Sequence, residues 1–300
     1  MEATGIEAFR EFGDFSSPRN LEQAEKDEGG LACELQTLEA RYNAEGERVI
    51  LSVGSKKHFE PPKQKGHESA LVLTKFFDTY KQLECTELEI RSPYVKAALK
   101  AVVPEFRDTN IRAKKIVLRD QPECLFHYRQ ELQEYGATLQ DPEAVKHLVF
   151  VLRHMYKVLQ SEIYTYIYNM VETTTMPPRI DFLNLWMIFR PGDHVYVEIE
   201  KTERVFEFKS MSRCKCQLPL CLNSGWELHC DYINYDGTDF GYSQTLFEIR
   251  PYYGYRSVET LTVVPLQYCQ EKSRIRAAMI RNLLLYMGSI IACMKALRNC

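Results

Sequence analysis

The sequence contains no run of about 20 apolar residues, the length that a helix needs to cross a bilayer. The nearest approach is the tail from Leu283 to Met294. The N-terminus, MEATGIEAFREFGDF, has neither the basic segment nor the apolar segment of a secretion signal. We therefore expect an intracellular protein, cytoplasmic or nuclear, that does not contact a membrane.

An excess of charge of one sign is also missing. Lys and Arg total 38 against 41 Asp and Glu, so the net charge is -3 and no general basic field attracts nucleic acid or anionic lipid. The apolar fraction of 45% is typical of globular proteins. A chain of 300 residues can bury one large core or two modest ones.

The motifs that carry nucleotide or nucleophilic chemistry do not occur. The fragment nearest to a phosphate-binding loop, Gly54-Ser55-Lys56-Lys57, lacks the first glycine and the spacing that such a loop requires. Neither a dinucleotide-binding glycine motif nor a nucleophile elbow is present. The sequence therefore predicts a chain that is not an enzyme, with no catalytic residues and no cofactor.

Cysteine is abundant, with ten residues and no secretion signal, which favours free thiols in a reducing compartment. Cys214, Cys216, Cys221, His229 and Cys230 fall within a short span and have the ligand chemistry that zinc prefers. The spacing is unlike a zinc knuckle, and His229 and Cys230 would point to opposite faces of a strand. Incidental thiols are the favoured interpretation, and zinc binding is an alternative.

The order of the patterns predicts an α+β fold, because helices and a few strands precede a run of strands. Residues 1–30 are acidic and predicted to be disordered. Residues 31–178 form a mixed subdomain of helices and strands, and residues 179–270 a β-rich subdomain. Residues 271–300 form a C-terminal helix and an atypical apolar tail. The β-rich half is predicted to be barrel-like or a strongly twisted antiparallel sheet.

Four helices are indicated in the N-terminal half, one of which carries Phe126, Tyr128, Leu132 and Tyr135. The leucines from Leu31 to Leu38 recur at helical spacing and predict an amphipathic helix. Ser92-Pro93 joins a capping residue to a proline suited to the first turn, which predicts a helix that ends before Pro104. Asp141-Pro142 repeats that pair and predicts a helix reaching Ile167.

The stretch from Ile180 to Leu266 organises the second half. It opens with an apolar run, which the turn Pro191-Gly192 breaks. Asp236-Gly237 is the strongest hairpin signal. Four β-branched and aromatic segments predict strands, namely VFEFKSM, WELHCDYINYDGTDFGY, QTLFEIRPYYGY and ETLTVVPLQY. An aromatic group in the later strands could stack on single-stranded nucleic acid, although packing in the core and at its rim is favoured. Its members are Tyr232, Tyr235, Phe240, Tyr242, Tyr252, Tyr253 and Tyr255.

Several segments, in this order, resemble an uncharacterised domain that precedes the AAA+ ATPase core in fungal proteins: SPYVKAALKAVV, LFHYRQELQEY, IDFLNLWMIFRPGDHVY, DYINYDGTDFGY and YYGYRSVETLTVVPLQY. The resemblance covers about residues 45 to 281. Its most specific positions form two signature motifs. The first contains Leu185, Trp186, Phe189, Pro191 and Gly192, and the second contains Asp236, Gly237, Phe240 and Gly241.

The resemblance implies a domain without known catalytic residues that is truncated before the Walker loop of an ATPase. From it we expect a non-catalytic recognition or regulatory domain that binds a protein substrate or adaptor. A β-barrel module that binds single-stranded nucleic acid and a zinc-binding protein are the alternatives.

Overall fold

The computed structural model describes residues 29–54, 68–106, 109–172, 177–213, 225–235 and 240–269. They divide into two compact units, the first ending at Ile163 and the second beginning at Tyr164. Most of the predicted disordered N-terminus and all of the predicted C-terminal helix lie outside the described residues. No helix within the described ranges is long and apolar enough to cross a membrane.

The first unit is built on a five-stranded sheet in the order β2-β1-β3-β4-β5. Its strands are β1 (Ala32–Tyr42), β2 (Arg48–Ser52), β3 (Ser69–Phe77), β4 (Leu83–Ile90) and β5 (Ile116–Arg119). β1 and β3 run parallel, and the other neighbours run antiparallel. Ile90 pairs with Leu71 on one side and Ile116 on the other, and all three are buried. This row forms the centre of the apolar core.

The α-helices of the described residues are α1 (Pro93–Val102), α2 (Glu123–His127), α3 (Arg129–Thr138), α4 (Pro142–Val158) and α5 (Gln160–Tyr166). The predicted start of α1 is confirmed, because the Ser92 hydroxyl accepts a hydrogen bond of 3.3 Å from the Val95 amide. The predicted start of α4 is confirmed as well, since the Asp141 carboxylate accepts one of 3.0 Å from the Glu143 amide. Local capping chemistry is thus sufficient to place both helix starts.

The predicted helix over Leu31 to Leu38 is wrong, because this segment forms β1. Leucines three and four residues apart satisfy a helical period, but β1 is hydrogen-bonded to β2 on one side and to β3 on the other. β2 follows β1 across a short turn, but β3, which pairs with the segment from Ala32 to Leu38, lies farther along the chain, so local periodicity does not report it. The helix predicted to run from Asp141-Pro142 to Ile167 is found as α4 and α5, which are interrupted only at Leu159, and a π-helical turn, Ile167–Val171, follows. Hydrogen bonds from the Leu159 amide to the Met155 carbonyl (2.9 Å) and from the Ile163 amide to the Leu159 carbonyl (2.8 Å) continue the helical pattern across the interruption.

The second unit contains a five-stranded antiparallel sheet in the order β10-β9-β8-β7-β12 and a two-stranded sheet of β6 and β11. Its strands are β6 (Arg179–Asp181), β7 (His194–Ile199), β8 (Thr202–Arg213), β9 (Trp226–Tyr235), β10 (Phe240–Ile249), β11 (Tyr255–Ser257) and β12 (Val264–Pro265). The α+β class and the twisted antiparallel sheet are confirmed, whereas the barrel-like form is wrong because no sheet of the described residues closes. Within ETLTVVPLQY only β12 is a strand, flanked by two 3-10 turns.

His147 is an unusual core residue of the first unit. Its side chain on α4 is fully buried, and neither ring nitrogen has a hydrogen-bond partner among the described residues. The Tyr94 ring lies 5.2 Å away, and the Leu31 backbone lies close enough to favour the protonated ring. Burial lowers the pKa of His147, and the nearby Glu143 carboxylate only partly opposes this effect. Burial therefore favours the neutral imidazole in the native state.

We expect acid to destabilise the first unit through His147. Its folded pKa lies below the unfolded value of about 6.5, so the unfolded chain binds the proton more readily and stability falls as the pH drops below that value. In urea unfolding at pH 7.5 and 5.5, His147→Leu should reduce this loss of stability, and the part that remains is the share of His154, whose pKa burial also lowers. At pH 7.5 the variant should differ from the parent by only about 1 kcal/mol, because no hydrogen bond is lost.

The matched control is His194→Leu, which replaces an exposed histidine of β7. This variant should keep the pH dependence of the parent chain. An equally large loss of stability between pH 7.5 and 5.5 in His147→Leu would contradict the assignment.

Candidate protein-docking surface

The first signature motif forms a buried 3-10 turn, Leu185–Ile188. The Asp181 carboxylate starts this region by accepting hydrogen bonds from the amides of Leu183 (3.0 Å) and Asn184 (3.1 Å). The signature residues Leu185, Trp186 and Phe189 are all almost fully buried. These side chains therefore serve the core of the second unit and are not available to a partner.

The signature pair Pro191-Gly192 forms a type II turn. The Asp193 amide donates to the Arg190 carbonyl (3.0 Å), and Gly192 has a φ of 90° at the position that requires a positive value. This turn also clamps β8. The Gly192 amide donates to the Phe208 carbonyl (2.8 Å), and the Phe208 amide donates to the Asp193 carbonyl (2.8 Å). The predicted turn is confirmed, and it fixes where the sheet begins.

An aromatic cluster joins β9 to the chain around β6. The Trp226 indole donates a buried hydrogen bond of 2.7 Å to the Phe182 carbonyl, and the Tyr252 hydroxyl donates one of 3.1 Å to the Ile180 carbonyl. The Phe182 and Tyr252 rings meet edge to face at 5.6 Å. Burial raises the pKa of Tyr252, and the Asp181 carboxylate adds to that effect. Tyr252 is thus a packing residue, whereas the nucleic-acid alternative requires its ring to stack on a base.

The second signature motif is only partly described. Asp236 and Gly237 lie outside the described residues. Phe240 and Gly241 begin β10 and pair with Tyr235 and Asn234 of β9. A side chain at Gly241 would meet nothing within 4 Å, and its φ is not positive. Neither steric room nor backbone conformation requires glycine there.

Three apolar side chains project from the outer face of β9 and β10. Tyr242 and Ile233 are direct cross-strand partners, and Leu246 lies four residues farther along β10 on the same face. Their exposed fractions are 74% for Tyr242, 53% for Ile233 and 51% for Leu246. We call Ile233, Tyr242, Gln244 and Leu246 the docking surface. Apolar contacts gathered on one face are typical of surfaces that bind other proteins.

Backbone groups of β10 also face outward at its open edge. Backbone N–H and C=O groups of successive strand residues point to opposite edges of the strand. Those of Phe208 point to the β7 side, so those of Glu207 point to its β9 partner, Asp231. The backbone groups of Cys230, the neighbour of Asp231, therefore point to β10, where Cys230 pairs with Thr245. Tyr242, Gln244 and Leu246 therefore direct their N–H and C=O groups away from β9. Among the described residues, none forms a hydrogen bond with these groups.

An independent contact supports this assignment at the end of β10. The Thr262 hydroxyl donates a hydrogen bond of 3.2 Å to the Glu248 carbonyl, although Thr262 is not part of β9. Glu248 lies two residues after Leu246, so its carbonyl, like those of Gln244 and Leu246, points away from β9. Beyond Glu248 the edge is capped, whereas from Tyr242 to Leu246 no described strand covers it.

Carboxylates surround the docking surface. Glu227 and Glu248 are directly opposed across β9 and β10, and neither forms an ion pair with a described residue. Asp231 and Glu207 are also opposed, but the Lys209 ammonium lies 3.7 Å from the first and 2.6 Å from the second. Directly opposed like charges destabilise a sheet unless a cation is near. The surroundings of the docking surface are therefore net acidic.

A cleft of about 430 Å³ lies beside this edge, between β7, β10 and the segment leading to β12. Its lining residues include Glu198, Glu248 and Glu259. Glu248 thus contributes to both the cleft and the surroundings of the docking surface. The cleft extends the acidic character of this side of the second unit.

The predicted zinc ligands are only partly described, because Cys214, Cys216 and Cys221 lie outside the described residues. His229 and Cys230 point to opposite faces of β9, and only Cys230 is buried. Burial raises the pKa of the Cys230 thiol to about 12. Within the described ranges no three potential ligands come together. The zinc alternative gains nothing from the geometry of this strand.

Residues 171–270 match the model of a domain of unknown function, DUF7025. This segment includes the buried 3-10 turn, the aromatic cluster and the docking surface, and the match covers a third of the chain. No curated protein and no solved structure matches the chain.

Sequence reasoning named Tyr242 but treated it with the other aromatic residues as packing. The structure separates that group, since Tyr252 packs while Tyr242, Tyr253 and Tyr255 are exposed. One signal could have found the surface: residues 240–247, FGYSQTLF, form a strand without a single charge. Exposed edge strands are commonly protected by charge or proline, and residues 240–247 of β10 have neither.

We expect Gly192→Ala to destabilise the second unit by about 1–2 kcal/mol, because an alanine at positive φ is strained even where its methyl group has room. Gly241→Ala is the matched control at another signature position. It should be neutral or slightly stabilising, since its strand conformation suits alanine. Urea unfolding followed by tryptophan fluorescence reports on this unit, which contains Trp186 and Trp226. Equal effects of both substitutions would refute the turn assignment.

Proposed function

We propose that this chain is a non-catalytic recognition domain that binds a protein substrate or adaptor through the docking surface. The observation that carries the proposal is the coincidence of three exposed apolar side chains with an uncovered strand edge on β10. Side chains supply specificity and backbone groups supply affinity when a partner pairs with a sheet edge. No other described edge of the second sheet combines the two features.

The use of the reactive side chains in packing supports a binding role. Burial raises the pKa values of the Cys124 and Cys230 thiols to about 12, so both remain protonated at neutral pH. A protonated thiol is a poor nucleophile and a poor metal ligand. The side chains of the first signature motif are likewise buried in the core.

The same proposal includes a relationship to AAA+ ATPases. Its support is the ordered series of motifs in the sequence, of which IDFLNLWMIFRPGDHVY forms the buried turn and the clamp on β8. In such proteins a domain of this kind would select what the motor acts on. A calorimetric titration of the chain with MgATP tests this part, and tight binding would argue against a domain that lacks its own nucleotide site.

We expect a photo-reactive benzoylphenylalanine at position 242 to cross-link a discrete protein in extracts of cells that produce the chain. Ile233→Asp should reduce the cross-linked yield by about tenfold or more, because a charge beside Tyr242 removes the apolar contact. The measurement is the yield of the adduct on denaturing gels.

The control places the same photo-reactive residue at position 80, where Tyr80 is highly exposed in the first unit. Cross-linking there should not respond to Ile233→Asp. An adduct at position 242 that is indifferent to Ile233→Asp, or no adduct at all, would count against the proposed function.

A second candidate function, binding of single-stranded nucleic acid, is favoured by a different surface. Tyr253 is fully exposed, and Tyr255 is half exposed. Both lie between the exposed residues Arg250 and Arg256. Aromatic faces beside guanidinium groups can stack on bases and contact phosphates.

Fluorescence anisotropy with a labelled oligothymidine tests this candidate. If it holds, Tyr253→Ala should weaken binding by roughly tenfold without changing stability, given the energy of a stacked base. Tyr252→Ala should lower stability, because it removes the hydrogen bond to Ile180. Absence of salt-sensitive binding by the parent chain would eliminate the candidate.

A further inference from the structure

We infer that the edge of β10 accepts an extended basic segment of a partner as an additional strand of the second sheet. This inference rests on the proposed function, and it names the conformation and the charge of the partner. The segment pairs with the backbone of Tyr242, Gln244 and Leu246 and places its cationic side chains near Glu227 and Glu248.

The alternation of backbone direction along β10 provides the pairing sites. Three residues offer an outward N–H and C=O each, at intervals of about 7 Å, which is the spacing that a neighbouring strand matches. The capped carbonyl of Glu248 limits the length of the new strand at that end. A partner segment of about five to seven residues therefore covers the open edge.

The composition of β10 favours an added strand over a covering helix or loop. Edge strands in monomeric proteins are usually short, bulged, or protected by charge. β10 has ten residues, shows no register shift against β9, and has Glu248 as its single charged residue. Among the described strands, the edges of the first sheet are shorter, with five residues in β2 and four in β5.

Charge complementarity identifies the partner as basic. Glu227 and Glu248 are directly opposed without a cation, and a lysine or arginine beside them would relieve their repulsion. A second copy of this chain would bring its own carboxylates to the same place and increase the repulsion. An extended segment with apolar side chains near Tyr242 and Leu246 and a basic one near Glu248 fits the surface.

The probe is a fluorescent decapeptide of alternating lysine and valine. The control is an otherwise identical peptide in which glutamate replaces lysine. Anisotropy with the full chain should show binding of the lysine peptide at least about tenfold tighter than that of the glutamate peptide. The affinity should fall several-fold when salt is raised from about 0.05 M to 0.3 M.

Two variants separate backbone pairing from charge. Gln244→Pro removes one outward N–H without removing a hydrogen bond between β10 and β9. It should weaken binding of the lysine peptide by about tenfold. Glu248→Lys should weaken it by a similar factor. Glu45→Lys makes the same charge change at an exposed turn of the first unit and should have no effect. Unchanged tryptophan fluorescence establishes that the variants are folded.

Equal binding of the two peptides, or a lysine peptide that is insensitive to Gln244→Pro, would overturn the inference. So would a dimer seen in sedimentation that the peptide cannot dissociate, because a second copy would then occupy the edge. These outcomes are distinct from failure of the proposed function. If the cross-link at position 242 still depends on Ile233 while the lysine peptide fails to bind, the docking surface stands and only the basic strand is rejected.

Discussion

The two hydrogen bonds between Phe208 and the turn at Gly192 and Asp193 determine to which neighbouring strand each residue of β8 directs its backbone groups. Backbone direction alternates with every residue of a strand, and side chains alternate with it. Once Phe208 faces the β7 side, the pairing of Glu207 with Asp231 determines which residues of β9 face β10. A slip of one residue would bury Tyr242 and expose Phe247 instead. The outward character of the β10 edge therefore depends on a turn that lies two strands away.

The second unit separates its structural residues from its exposed ones. The Trp226 indole donates to the Phe182 carbonyl, and the Tyr252 hydroxyl donates to the Ile180 carbonyl. These two hydrogen bonds hold the start of β9 and the segment after β10 against the same short stretch of chain before β7. Phe189 meets Phe208 at 5.5 Å beneath the clamp. These buried contacts hold β9 and β10 in place. Tyr242 and Ile233 can then remain exposed without any role in holding the sheet together.

Local chemistry in the sequence predicted the features that depend on neighbouring residues. Ser92 and Asp141 cap helices, and Pro191-Gly192 forms its turn, because each needs only the next few residues. The sequence did not predict β1, whose partners are β2 and β3. It also did not place Ser210, which a bulge against His229 puts in a buried position.

The candidate site was beyond local prediction for the same reason. Strand order decides that β10 lies at an edge, and no pattern within residues 240–249 states which strands will be its neighbours. The signature positions directed attention to Trp186 and Gly192, which build the core and the turn. The side chains that can meet a partner lie one strand farther on, at Tyr242 and Leu246.

Residue-resolved amide hydrogen exchange of the full chain tests the central claim most directly. Because Tyr242, Gln244 and Leu246 direct their amides to the open edge, they should exchange at least about 100-fold faster than Ser243, Thr245 and Phe247, which donate to β9. Uniform protection along these six residues would mean that the edge is covered, and uniform rapid exchange would mean that β10 is not paired as described. Either result would contradict the account.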